Sequence, residues 1–334
     1  MARWSVLQQG DTSAQQFGVL AMIAVGGENL MDLVARNRND GEQLEFIAAE
    51  GGGPFNVAMA AGRLGVDVSY LTPISTDRFG DLLSERLLQS NVAITGTRVQ
   101  QPTSLAVVSV DADGVPSYGF YRNGTAERQV TPETLAGASP AETAIFHVGG
   151  LALIDGDDAE AWKQHFTTCK TKKILTSLDP NVRPALVSDR DAYVERLRQM
   201  MKNADIVKLS DEDLVWLYPD RPLEQTLAEC RADCNAPLFI LTLGADGARG
   251  FVEAGEVHVP AAQTHHITDT VGAGDTFMAS ILAWIIETGR GDLQSLSTID
   301  TGSLAASLGR AAEAAALNCE QRGCNPPWRY QLES

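Results

Sequence analysis

From Ala144 onward the chain repeats one rhythm: a short apolar run, a polar loop, then an amphipathic stretch. Runs at 144–148, 173–178, 206–209 and 238–243 read as strands, and 159–169, 191–203, 211–218 and 223–231 as helices. Strands that alternate with helices bury both faces only when the helices wind over both sides of a mainly parallel sheet. The rhythm therefore predicts a doubly wound α/β fold. Ligands of such folds sit beyond the carboxyl ends of the strands. Polar clusters that follow each strand should gather on that edge.

The first half fits the same scheme with two interruptions. Val19 to Val25 reads as a first buried strand ending at Gly26-Gly27, and Gly51-Gly52-Gly53-Pro54-Phe55-Asn56 as a loop feeding a small-residue helix that stops at Gly65. Val66 to Leu71 reads as a strand, and Asp77 to Ser90 as a helix with Leu82, Leu83, Leu87 and Leu88 inward. Residues 33–50 are polar and weakly alternating, which suits an exposed strand pair. Thr103 to Asp111 and Ser117 to Arg122 form a hairpin about Asp113-Gly114. The two interruptions are expected to pair with each other.

One cluster has a marked chemical character. An extended run, His258 to Ile267, leads to Asp269-Thr270-Val271-Gly272-Ala273-Gly274-Asp275-Thr276-Phe277, and the buried-helix pattern of 278–286 follows. Gly272, Ala273 and Gly274 thus stand at a helix N-terminus, where free N–H groups and the helix dipole attract an anion. Asp275 would repel that anion. It suits a base that takes a proton from whatever attacks a phosphate there, or else a plain helix cap.

The other clusters each carry two readings. Asp32, Gly52, Gly53 and Asn56 suit neutral hydroxyls, or a turn with an Asn cap. Arg122 reaches a substrate or phosphate, or is an ordinary surface arginine. Asp179-Pro180-Asn181-Val182-Arg183-Pro184 is a stiffened turn offering Asn181 and Arg183 as phosphate contacts, or a plain proline turn. Ser210 and Asp213 form a capping box, or Asp213 stands near a magnesium-bound water. Thr242, Gly244 and Gly247 mark a hairpin that passes near a nucleotide.

Composition closes several options. A net charge of −17 argues against nucleic acid or an anionic membrane as partner. No run of 18 apolar residues suggests a transmembrane helix. Residues 1–17 lack the pattern of a secretory signal, and five cysteines, an odd number, suggest reduced thiols and a cytoplasmic location. Cys230 and Cys234 are expected as packed thiols. No strand–helix turn carries G-x-G-x-x-G, and no G-x-x-x-x-G-K-[ST] occurs, so dinucleotide and P-loop readings fall away.

On two motifs, Gly51-Gly52-Gly53…Asn56…Gly62…Gly65 and Asp269 to Phe277, the sequence resembles the PfkB, or ribokinase-like, carbohydrate kinases. The likeness runs from about Ala21 to Trp328. Within that family, Phe120-Tyr121-Arg122, residues 146–151, 179–183 and 208–212 look most like fructokinases.

The resemblance implies a ribokinase-like sheet with helices on both faces and a small β lid from about 33–50 and 100–125. It implies a kinase domain over 19–334 behind an extension of residues 1–18, and a homodimer formed through the lid. It implies ATP and Mg2+ as cofactors, with K+ as an optional third. Asp275 would be the base, and Gly272, Ala273 and Gly274 the anion hole. Asp32, Gly52, Gly53, Asn56, Arg122 and Arg183 would bind substrate. Asn181, Ser210, Thr242, Gly244, Gly247 and Asn318 would line the nucleotide site, with Asn318 near adenine. Asp213 would serve the magnesium, and Asp269, with the turn at Gly323, a monovalent cation.

Two departures stand out. The family's N-x-x-E is Ser210-x-x-Asp213 here, and Glu28-Asn29 puts an additional amide ahead of Asp32, where it could enter the sugar pocket. The expected activity is ATP-dependent phosphorylation of a primary sugar hydroxyl, most simply fructose. Alternatives are a 2-keto-3-deoxygluconate or ribose kinase, or a catalytically silent sugar sensor.

Overall fold

Alternation along each central strand decides the layering. In the computed structural model, which describes residues 21–35, 44–110 and 116–333, fifteen strands and eleven helices form around two sheets and a short strand pair. The N-terminal extension, the tip of the 33–50 insertion and the Asp113-Gly114 turn lie outside the described residues.

The strands are β1 (Met22–Gly26), β2 (Leu30–Ala35), β3 (Phe46–Gly51), β4 (Val68–Tyr70), β5 (Ile74–Ser75), β6 (Val92–Ile94), β7 (Arg98–Val99) and β8 (Ser104–Val110). There follow β9 (Pro116–Tyr121), β10 (Thr143–Gly149), β11 (Leu175–Asp179), β12 (Ile206–Ser210), β13 (Leu238–Thr242), β14 (Ala248–Val252) and β15 (Gly255–Val259). The helices are α1 (Gly53–Arg63), α2 (Arg78–Gln89), α3 (Pro132–Ala138), α4 (Gly156–Thr171), α5 (Arg190–Asn203) and α6 (Asp211–Leu217). The rest are α7 (Leu223–Cys234), α8 (Ala273–Glu287), α9 (Leu293–Ser297), α10 (Thr301–Cys319) and α11 (Arg329–Leu332).

The main sheet runs β15-β14-β13-β12-β11-β10-β1-β4-β6 and is parallel except at β14 and β15. Ile23, Ile145, Leu175, Ile206 and Ile240 face α1, α2, α8 and α10, while Ala24, Phe146, Leu178, Val207 and Leu241 face α3 to α7. Helices therefore cover both faces, as the strand–helix rhythm predicts. The chain leaves β1 toward β4 on one side and places β10 on the other. That reversal opens a crevice at the carboxyl end of β1, where ligands of such sheets bind.

The second sheet, β3-β2-β8-β9, joins the two interruptions through the parallel pair β2–β8. It projects from the same edge, because β2 follows β1 and β3 leads directly into α1.

Some local expectations change. Leu88 is 60% exposed rather than inward, because Leu83 and Leu87 already complete the apolar stripe of α2. The extended run from His258 stays in the sheet only to Val259. Residues 260–272 leave it as loop, which lets the chain cross to the start of α8. Cys230 and Cys234 are buried in the α5–α7 core as packed thiols.

Candidate active site

Gly272 sits in the left-handed region at φ 76° and caps α8 without a side-chain hydrogen bond. A Cβ there would stand 2.3 Å from Cys324 Sγ, so the turn needs glycine twice over. Ala273 N–H donates to the Thr270 carbonyl at 3.2 Å and so closes the turn. Among the described residues no acceptor takes the N–H of Gly274 or Asp275. At this end of α8 the Ala273 amide is thus engaged, while that of Gly272, like the next two, meets no acceptor among the described residues.

Asp275 is 7% exposed. Its Oδ2 accepts from Asn56 Nδ2 at 2.8 Å and its Oδ1 from Asn181 Nδ2 at 3.3 Å. Burial raises its pKa to about 6; the Asn56 bond, Lys208 and Arg183 pull it down, and Asp179 pushes it up. A carboxylate with that affinity is ionised at neutral pH yet basic enough to take a proton.

Gly53 packs closely on the residues around Asp275. A Cβ on Gly53 would lie 3.0 Å from Asn181 Nδ2 and 3.5 Å from both Asp275 Oδ1 and Glu28 Oε1. Gly52, at φ 117°, turns the chain into α1, and Gly51 packs against Asp32, whose Oδ2 would meet a Cβ there at 2.4 Å. Asp32 is half-buried on β2, and burial raises its pKa to about 6 against the opposing pull of Arg183. Arg183 is exposed and folds back on the carbonyls of Asn181 and Val182, both at 3.1 Å. Asn181 itself adopts φ 44°, which aims its amide at Asp275. Asp32, Gly53, Asn56, Asn181, Arg183 and Asp275 therefore lie near one another at the head of α8.

Other expected residues take different work. Arg122 is buried and gives two nitrogens to Glu127, at 2.8 and 3.2 Å. Asn29 does not enter a sugar pocket: its Nδ2 donates to Pro73 O at 3.1 Å and Tyr70 Oη at 3.3 Å, because β2 turns that side chain toward β4 and β5. Asn318 is fully buried, donating to Val271 O at 2.8 Å and accepting from Asn325 N at 2.9 Å. It ties the α8 turn to the segment after α10.

The two residues expected at metals behave alike. Asp213 accepts from Val182 N at 2.7 Å and Ser210 N at 2.9 Å, and Ser210 returns the capping bond to Asp213 N at 3.0 Å. Ser210 and Asp213 thus form a capping box that also anchors the 179–184 turn. Asp269 accepts from Val271 N at 3.0 Å and Gly323 N at 2.9 Å. It does meet the Gly323 turn, but through N–H groups that a cation would repel. Among the described residues no group of three His, Cys, Asp or Glu is placed to hold a metal.

Thr242 ends β13, with its hydroxyl 3.4 Å from the Leu209 carbonyl. Gly244 and Gly247 turn the chain at φ 55° and 89°. A Cβ on Gly244 would meet nothing, which leaves open room beside the strand ends.

Two buried charges were not singled out from sequence. Glu28 accepts from Gly53 N and Leu151 N, both at 2.9 Å, and burial raises its pKa to about 7. Lys208 donates to Asp179 Oδ2 at 2.7 Å under the first turn of α8. A lysine and a glutamate within strand-like or post-strand segments were the available signal, since such groups are rarely buried without a purpose.

Comparison with known proteins is consistent with this geometry. The model of the pfkB family carbohydrate kinases matches residues 20–330. The fructokinase of Rhizobium leguminosarum bv. trifolii is 37% identical over 265 residues, covering 78% of this chain and 79% of that protein. Fructokinase-1 of Zea mays is 30% identical over 311 residues, 92% of this chain and 94% of that protein. The crystal structure of fructokinase with bound ATP from Xylella fastidiosa superposes with a TM-score of 0.85 at 27% identity, covering 93% of this chain and 97% of that one.

Proposed function

We propose, from the premise that this chain belongs to the pfkB family of carbohydrate kinases, that it transfers the γ-phosphoryl group of MgATP to a primary hydroxyl of fructose. The observation that carries the reading is Asp275 itself, buried in the first turn of α8, held by the Asn56 and Asn181 amides and beside the open N–H groups at that helix end. The substrate hydroxyl gives its proton to Asp275. The Gly274 and Asp275 amides hold the transferring phosphoryl group as its charge builds. Catalysis then rests on positioning and charge stabilisation, as phosphoryl transfer requires. Magnesium arrives on the nucleotide, where it keeps most of its waters and needs few protein ligands.

Fructose is favoured over an acid sugar such as 2-keto-3-deoxygluconate by Arg122. Its charge is already met by Glu127, and Glu28 lies close enough to add to that. A substrate carboxylate would find no free guanidinium there. Asp32 and Asn56 offer acceptors and an amide that suit hydroxyls.

The β2-β3-β8-β9 sheet acts as a lid and as a dimer surface in this reading. It exposes Val34, Phe46 and Tyr121, apolar groups that a partner lid would cover. Sedimentation at twice the mass of one chain is expected, with Phe46→Glu returning it to a single chain's mass. A monomeric wild type would remove the dimer from the account.

Coupled ATP-consumption assays across fructose, ribose and 2-keto-3-deoxygluconate test the substrate. Highest kcat/KM on fructose is the expected result. Tight binding of a sugar without turnover of any would identify a sensor instead.

A further inference from the structure

We propose that Lys208 is a positioning residue for phosphoryl transfer, its ammonium clamped by Asp179 against the first turn of α8 so that it sets the field on the anion cradle and on Asp275. This rests on the reading of Asp275 as base. Lys208 is 4% exposed, and a Cβ on Gly274 would stand 3.5 Å from its Nζ. The ammonium therefore lies beside Gly274 in the first turn of α8. It points there because Ile206 and Lys208 share the strand face that packs on α8, and β11 brings Asp179 alongside.

The pair is poorly built for stability alone. Asp179 is 3% exposed, and its Oδ1 takes no hydrogen bond among the described residues. A buried ion pair with an unsatisfied oxygen is a weak stabiliser, and apolar side chains of similar size commonly do as well. What the pair does supply is a fixed cation at the one place where a chain of net charge −17 must receive a polyanion. Burial pulls the Lys208 pKa down, but Asp179 more than restores it, so the ammonium stays charged.

Asp275 is faced by Asn56 from α1, Asn181 and Arg183 from the turn after β11, Asp179 from β11, Lys208 from β12 and Cys324 from the segment after α10. Lys208 lowers its proton affinity and Asp179 raises it. Removing one or the other must therefore move the base in opposite directions. A pair that only held the fold together would not do that.

The test is the pH dependence of kcat/KM for fructose at saturating MgATP. For Lys208→Met the acid limb should move to higher pH by about one unit, with kcat down at least about tenfold. For Asp179→Asn the limb should move to lower pH, and Lys208→Arg should return it toward the wild-type position. Limbs that stay in place, or that move in the same direction, overturn the proposal. Should Lys208→Met fail to fold, the near-isosteric Asp179→Asn decides alone: a downward shift supports the proposal, and an unmoved or upward limb overturns it. Asp275→Asn run in parallel separates the two ideas. A dead Asp275→Asn with unmoved limbs defeats only the role of Lys208, whereas an active Asp275→Asn defeats the base assignment beneath it.

Discussion

At Gly53 a side chain would crowd Asn181 and Asp275. Replacement by alanine would set a methyl group 3.5 Å from Asp275 Oδ1 and 3.0 Å from Asn181 Nδ2. The substrate hydroxyl would then be displaced by about an ångström, which costs on the order of 100-fold in rate. Gly53→Ala should lower kcat/KM for sugar by about that factor with the KM for ATP unchanged; steady-state kinetics in both substrates check it. Residue-level legibility was uneven for a physical reason. Gly272, Gly274, Asp275 and Asn56 stand in local motifs whose spacing reveals their task. Glu28 and Lys208 act on partners far along the chain, Leu151 and Asp179, that only strand register brings near. Asn29 and Asn318 show the converse: an amide that faces backbone is indistinguishable, in sequence, from one that faces a ligand.

Among the elements, α8 depends on ties from outside itself. Its first turn is held by Asn318 through Val271 and by Asp269 through Gly323, both reaching the segment that follows α10. Asn318→Ala leaves the part-buried Val271 carbonyl and Asn325 N–H without this partner, at about 0.5–1.5 kcal/mol for each hydrogen bond lost. The melting temperature should fall by several degrees, and the KM for ATP should rise with the loosened turn. Thermal melts with ATP titration check both. The capping box at Ser210 and Asp213 was visible in sequence because it is local, three residues apart. Its second bond, to Val182, was not, since it depends on where the 179–184 turn comes to rest.

For the molecule as a whole, the strand–helix rhythm was enough to predict the layers, because each central strand must be apolar on both faces. It did not give strand order or the exit at Val259, which depend on packing between distant segments. The same packing buries Glu28, Asp32 and Asp275 with pKa values near 7, 6 and 6, all raised by burial. Each then binds its proton more tightly folded than unfolded. Their contribution is complete below the unfolded carboxylate range, near pH 4, and is lost as pH rises through about 6 to 7. The part of the stability carried by these three carboxyls should therefore fall between about pH 4 and pH 7, against the opposite trend of His147 and His165, whose burial lowers their pKa to about 3 and about 4, and Glu28→Gln should flatten that decline. Chemical denaturation across this range checks it; a decline of the same slope in the variant would remove Glu28 from the explanation.

The central claim is that Asp275, held by Asn56 and Asn181 at the open end of α8, is the base of a sugar kinase. The turnover of Asp275→Asn with fructose and MgATP, measured beside its affinity for ATP, tests it most directly. The account predicts a kcat lower by about 100- to 10,000-fold, the usual worth of a positioned base, with ATP affinity within a few-fold of wild type. Near wild-type turnover in that variant would contradict it.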